Sequence, residues 1–241
     1  MYLCSSGTIF LISMVLLEAF HTPSLKCRRH SQVLSRQSIN MVAGPLDSFL
    51  GLFKPSGESS ASKLEKIEKL KSSLFGMAEG TSNGVKASQK TRDDISEIVS
   101  KLELMNPVKG ISNSPLMNGN WKLIYTTNSG SSAGRLGAFI GRVDQDIDLS
   151  TRKYINYVRL GGIVQGALSA TWDDVSPKLW RVKFIDVAIT VFGIPIKKKS
   201  LEGSVGIWRM SYIDDNIRVL YAQGGKNQET ENIYILAKEK F

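Results

Sequence analysis

Cysteine and histidine are nearly missing from this chain, and the few present crowd at one end: Cys4, Cys27, His21 and His30. Once that first segment is removed, the remainder has no disulfide, no thiol nucleophile and no Cys/His zinc site. A Ser-His-Asp triad and a histidine general base are excluded with them. Long hydrophobic runs are missing too, since none reaches the about 20 residues of a membrane-spanning helix. Neither sign of charge dominates strongly. The formal net charge is +9, and from residue 41 onward 27 basic residues face 21 acidic ones. That moderate excess favours anionic lipid surfaces or nucleic acid only weakly. What is present is an ordinary globular composition, 42% hydrophobic and 22% charged, enough to bury a core. The length suits one large β-domain with helices, or two small domains.

The first forty residues read as an address. Ile9 to Leu17 is a short apolar stretch of signal-peptide length, and Ala19 is a small residue at which cleavage is expected. From Phe20 to Asn40 the chain is rich in Ser, Arg and Gln and has no acidic residue, the composition of a transit peptide. Residues 1–40 are therefore expected to be a two-part targeting presequence, with a plain secretory signal as the alternative. Residues 41–61 are rich in Gly, Pro and Ser and read as a linker, with Phe49, Leu50, Leu52 and Phe53 as an apolar cluster inside it.

Residues 62–107 carry two helical patterns. Leu64, Ile67, Leu70 and Leu74 recur at three- and four-residue steps over 62–75. Ile95, Ile98, Val99 and Leu102 mark a second helix over 87–105, with a capping box at Thr91–Asp94 and a stop at Asn106-Pro107. Acidic residues are mixed among the lysines, so packing against the rest of the domain is favoured over lying on a membrane.

From residue 116 to 241 the period changes to two. Asn118 to Thr127 reads N-G-N-W-K-L-I-Y-T-T, which places Trp121, Leu123 and Tyr125 on one face of a strand. Further strands are expected at 142–149, 153–160, 163–172, 179–192, 204–212, 216–223 and 232–238, separated by Gly, Asp, Asn, Ser and Pro turn signals. Eight short strands joined mostly by tight turns predict a mainly β protein with N-terminal helices, as an up-and-down antiparallel barrel or a sandwich. A closed eight-stranded barrel has no free edge, and its interior is filled by side chains or holds one small ligand.

Several of these segments together resemble the plastid lipid-associated proteins, also called fibrillins or plastoglobulins. Leu102 to Pro107 is similar to that family's L-E-x-x-N-P, and Leu116 to Thr127 to its L-x-G-x-W-x-L-x-Y-T-T. Gln145-Asp146-Ile147, Trp180 to Phe184, Tyr212 to Val219 and Ile233 to Glu239 resemble its later strands. The resemblance runs from about residue 64 to the C-terminus. It departs at Asn216, at Tyr221-Ala222-Gln223 and in the longer final hairpin over 226–231. It implies a lipocalin-like eight-stranded antiparallel β-barrel, a plastid location, and association with thylakoids or plastoglobules, where members bind or organise carotenoids, prenylquinones and other lipids. The presequence, with its Ala19-Phe20 junction, resembles that of an alga with complex plastids.

No residue pattern points to catalysis, a cofactor or a metal. Asp144, Asp146 and Asp148 share one strand face but are too regular for a calcium loop and lack its glycine. Asp173-Asp174 and Asp214-Asp215 fall in turns, where Asp bonds its own backbone. Ser129 to Gly134 lacks the Lys-Ser/Thr ending of a phosphate loop. Arg218 or Arg209 is a candidate to stack on Trp121. The ligand-lining candidates are Trp121, Leu123, Tyr125, Val182, Phe184, Trp208, Met210 and Val219, with Ile217 beside the last. Phe192, Ile194, Lys197, Lys198 and Lys199 form an apolar-basic segment, expected as a loop, that suits an anionic bilayer.

The chain is thus expected to be a non-enzymatic binder of hydrophobic small molecules or lipids at a plastid membrane or plastoglobule surface. The alternative is a solid-core barrel that scaffolds plastid enzymes of prenylquinone or carotenoid synthesis. An enzyme using Asp146 or Asp214 is a further rival. Nucleic-acid binding is not expected, because no concentrated basic stripe with interleaved aromatics is present.

Overall fold

A computed structural model describes residues 60–224 and 227–239. The expected presequence and the apolar cluster Phe49–Phe53 lie outside these residues. Among the described residues two helices precede the strands, α1 (Ser60–Ala78) and α2 (Gln89–Leu104). The α2 N-cap is Ser88, earlier than the capping box over Thr91–Asp94. Its hydroxyl accepts the Thr91 amide at 3.1 Å, satisfying one of the free donors of the first turn. Gly84 lies between the helices at φ +92°. A Cβ there would stand 2.2 Å from the Thr126 carbonyl oxygen, so only glycine lets this turn press on the first strand.

Eleven strands follow. They are β1 (Gly119–Thr126), β2 (Arg135–Leu136), β3 (Phe139–Ile140), β4 (Arg142–Asp148), β5 (Lys153–Leu160), β6 (Val164–Ser176), β7 (Leu179–Val191), β8 (Ile194–Ser200), β9 (Val205–Ile213), β10 (Ile217–Gly224) and β11 (Asn227–Lys238). Eight of them form a closed antiparallel ring in the order β1-β4-β5-β6-β7-β9-β10-β11, and β11 pairs back onto β1. Short β2 and β3 make a separate hairpin. The expected up-and-down barrel is therefore present, and closure removes the edges that a twisted open sheet would expose.

The segment 194–200 is a strand and not a loop. β8 pairs with Asp186–Val191, the upper half of β7, and β9 pairs with Leu179–Lys183, the lower half. β8 and β9 thus share one place in the ring, broken at Leu201–Ser204. Pro195 and three lysines hid the strand, because both residue types are poor in sheets. They are tolerated because β8 uses one edge alone, and Pro and Lys on the other edge discourage pairing with a second chain.

The wall has two buried faces. Inside the barrel lie Trp121, Leu123, Val143, Ile147, Tyr154, Trp172, Trp180, Val182, Trp208, Met210 and Leu220 among others. Outside it, Ile67, Leu74, Ile95, Val99 and Leu102 of the helices cover Tyr125, Tyr212, Ile217, Val219 and Ile235. The helices therefore pack on the barrel, as their mixed charge implied. One end of the barrel is closed by two single-turn 3₁₀ segments, Ile111–Asn113 and Pro115–Met117. There the Trp121 indole donates to the Met117 carbonyl at 2.9 Å, and Lys238 donates to the Leu116 carbonyl at 2.9 Å.

Candidate functional site

Strand alternation and the bulges that interrupt it decide which side chains enter the barrel. On β1, Leu123 opposes Leu236 and Tyr125 opposes Ile235, so Ile124 is an extra residue. A bulge of this kind inverts the alternation beyond it. Tyr125, expected on the face of Trp121, is turned outward beneath the helices. On β9, Val219 of β10 opposes Tyr212 while Leu220 opposes Met210, so Ser211 is the extra residue. Val219 and Ile217 also lie on the outer, helix-covered face, and Arg218 and Leu220 point inward. These corrections remove Tyr125, Ile217 and Val219 from the lining. The other candidates are inside: Trp121, Leu123, Val182, Trp208 and Met210 are buried in the interior cluster, with Phe184 partly buried against it.

The interior is more aromatic than the expected set. Trp172 and Trp180 stack with centroids 4.1 Å apart, Trp208 lies 6.3 Å from Trp180, and Tyr154 lies 4.7 Å from Trp208. Trp172 and Trp180 face each other across the β6–β7 hairpin, near Val182. Their signal in the sequence was the spacing of Trp180, Val182 and Phe184, at steps of two along one strand.

Arg218 is the deeply buried charge of this interior. Its guanidinium lies 4.9 Å from the centroid of the Trp121 ring, and Lys238 Nζ lies 4.4 Å from the same ring. Arg218 donates to the Gln145 side-chain oxygen, and its Nη1 is 4.0 Å from the Met117 sulfur. Burial pushes its pKa down to about 9, and the nearby Tyr154 offsets part of that shift. Arg209, the other candidate for Trp121, stacks instead on Tyr221 at 4.0 Å and pairs with Glu231.

The acidic candidates have structural partners. Asp144 is buried between Arg142 and Arg159. Asp146 is exposed. Asp148 accepts from Ser150 and Thr151, which hold its pKa down to about 2. Asp214 accepts from Lys71, from the Tyr212 hydroxyl and from the backbone amides of Asn216 and Ile217. Among the described residues no three His, Cys, Asp or Glu side chains gather as a metal site, and no helix is long and apolar enough to cross a membrane.

The apolar-basic segment forms a protruding hairpin of β7 and β8. Phe192 is 68% exposed and Ile194 63%, and exposed Ile163 and Ile196 lie beside them. The Phe192 amide donates to the Ile163 carbonyl at 2.8 Å, which ties the β5–β6 turn to the same tip. Lys197 and Lys199 are exposed along β8, and Lys198 pairs with Asp186 at 3.0 Å. Phe192 adopts φ +50°, a left-handed conformation that bulky residues rarely take.

The sequence pattern of the plastid lipid-associated protein family, PAP_fibrillin, matches residues 68–228. This chain belongs to the fibrillin family. Among curated relatives, plastoglobulin-1 of Pisum sativum is 30% identical over 61% of this chain and 44% of its own length. Plastid lipid-associated protein 1 of Brassica campestris is 32% identical over 60% of this chain and 46% of its own length. A light-induced chloroplast protein of Solanum demissum is 33% identical over 49% of this chain and 39% of its own. This fibrillin thus spans less than half the length of the curated relatives it matches. These relatives are chloroplast proteins, and the plastid is the location of this one. No solved structure matches the chain. The closed barrel fits the lipocalin-like form.

Proposed function

We propose that this fibrillin is a non-enzymatic carrier or organiser of hydrophobic molecules at a plastid lipid surface. The observation that carries the reading is a closed barrel lined by Trp121, Leu123, Trp172, Trp180, Val182, Trp208 and Met210. A polyisoprenoid or acyl chain leaves water for this lining, gaining roughly 25 cal/mol per Å² of apolar surface buried. Carotenoids, prenylquinones and acyl lipids fit that description. The Phe192–Lys199 hairpin supplies membrane contact: Phe192 and Ile194 enter the headgroup boundary while Lys197 and Lys199 face anionic lipid. Thylakoids and plastoglobules are the surfaces in question, reached through the two-part presequence of an alga with complex plastids.

Purification of the full chain from its plastid, followed by solvent extraction and mass spectrometry, tests the carrier. A stoichiometric prenyl or acyl lipid is expected. A folded monomer that yields no lipid supports the second reading, in which the barrel is a solid scaffold for plastid enzymes. The mutual stacking of Trp172, Trp180, Trp208 and Tyr154 favours that reading, because rings packed on each other leave little apolar surface for a guest.

A further inference from the structure

Among the described residues, three buried donors inside the barrel have no acceptor: Arg218 Nε, the Tyr154 hydroxyl and Trp180 Nε1. All three side chains are essentially sealed from water, with Arg218 1% exposed. A buried donor without a partner costs free energy, and a buried charge without a counter-charge costs more. Arg218 meets a neutral amide at Gln145, a sulfur at Met117 and the Trp121 ring; among the described residues no carboxylate pairs with it. The second cation over Trp121, Lys238, adds to the positive field and does not offset it. Two buried carboxylate oxygens also lack partners, on Asp174 and Glu103. Neither pairs with Arg218: Asp174 pairs with Arg152 and stands opposite Trp180 across the β6–β7 hairpin, and Glu103 lies on α2, outside the barrel, bonded to Tyr221.

Tyr154 feels the charge of Arg218, its ring lies 4.7 Å from Trp208, and Trp208 lies 6.3 Å from Trp180. The interior therefore offers positive charge and N–H or O–H groups at the closed end, beside an apolar aromatic wall. That is the complement of a molecule with an anionic head and a hydrocarbon body. An oxyanion accepts from several donors at once, and its charge strengthens each bond.

Building on the carrier reading above, we propose that the barrel prefers an acidic amphiphile, a long hydrocarbon ending in one carboxylate, with its head at Arg218 and Tyr154 and its chain along the tryptophans. A neutral lipid of equal length fills the same wall but leaves the donors unmet, so discrimination resides in the head.

Equilibrium dialysis of the full chain against oleate and against oleyl alcohol, each below its micelle concentration, separates these contributions. Oleate is expected to bind at least about tenfold more tightly, the lower end of a charge-assisted hydrogen bond. In Arg218→Met the preference is lost and the alcohol still binds. In Tyr154→Phe, which keeps the ring, oleate weakens about fivefold and the alcohol is unchanged. If Arg218→Met does not fold, the wild-type preference and Tyr154→Phe decide the matter. Equal binding of both probes overturns the anionic-head proposal and leaves the carrier reading intact. If neither probe binds, both are overturned, and Arg218 is a plug that holds Trp121 and Met117 at the closed end.

Discussion

The guanidinium of Arg218 lies 4.9 Å over the indole of Trp121, and both side chains are sealed inside the barrel. Trp121 comes from the first strand of the barrel and Arg218 from the next to last. Their contact spans the seam at which β11 returns to β1. Trp121 also donates to Met117, so one side chain joins the seam to the 3₁₀ segment that closes the end.

Trp121→Ala is therefore expected to cost about 3–5 kcal/mol of folding stability, the range for deleting a large buried aromatic. Trp121→Phe keeps a ring under Arg218 but loses the bond to Met117, and should cost about 1–2 kcal/mol. Urea denaturation of the two variants measures both values. A loss below 1 kcal/mol in Trp121→Ala would show that the seam does not depend on this contact.

Asp214 fixes the helices to the barrel. Burial pushes its carboxyl pKa up, but the bonds from Lys71, the Ile217 and Asn216 amides and Tyr212 more than offset this and leave it below its ordinary value. A carboxyl depressed on folding adds stability above its unfolded pKa, near 3.9, that is lost as pH falls through the lower folded value. Asp214→Asn should lower stability near pH 7, and the gap from wild type should shrink below about pH 4. Thermal melts across pH 3–7 follow the gap; one that stays constant with pH would contradict the assignment.

Two glycines should respond in opposite directions. Gly84→Ala drives a Cβ into the Thr126 carbonyl at a positive φ and should destabilise by at least about 2 kcal/mol. Gly76→Ala lies within α1 with nothing within 4 Å, and should stabilise by about 0.5–1 kcal/mol. Melting temperatures of the pair test whether the turn truly presses on β1.

Phe192 separates stability from membrane contact. Its left-handed backbone costs roughly 1 kcal/mol, which Phe192→Gly should recover as folding stability. The same change removes the exposed ring, so sedimentation with vesicles containing anionic lipid should fall several-fold. Lys197→Glu with Lys199→Glu should reduce that binding further and abolish its salt dependence. Unchanged binding in all of these variants would rule out the hairpin as the contact.

The alternation of Trp121 with Leu123, and of Trp180 with Val182 and Phe184, made the strands and much of the inner wall legible in advance. So did the helical stripes of Ile67 and Leu74 and of Ile95, Ile98, Val99 and Leu102, all of them buried against the wall as their spacing implied, although Leu64 of the first stripe is exposed. β8 was not legible, because Pro195 and the lysines carry no sheet preference and the strand exists only through β7. Tyr125 and Val219 were misplaced for other reasons. Tyr125 follows the bulge at Ile124, whose single extra residue reverses the alternation of β1. Val219 lies on a regularly alternating strand whose more apolar face, with Ile217, is the one the helices cover.

Sequence alone determined the kind of structure: period-two apolar residues must bury one face, and eight such strands with short turns bury it best as a ring. It also determined what chemistry is missing beyond residue 30. Only tertiary structure decided which face of each strand looks inward, because register depends on bulges and on partners distant in the chain. The same long-range pairing set Arg218 inside, beside Trp121 and without a carboxylate, an arrangement that no local pattern encodes.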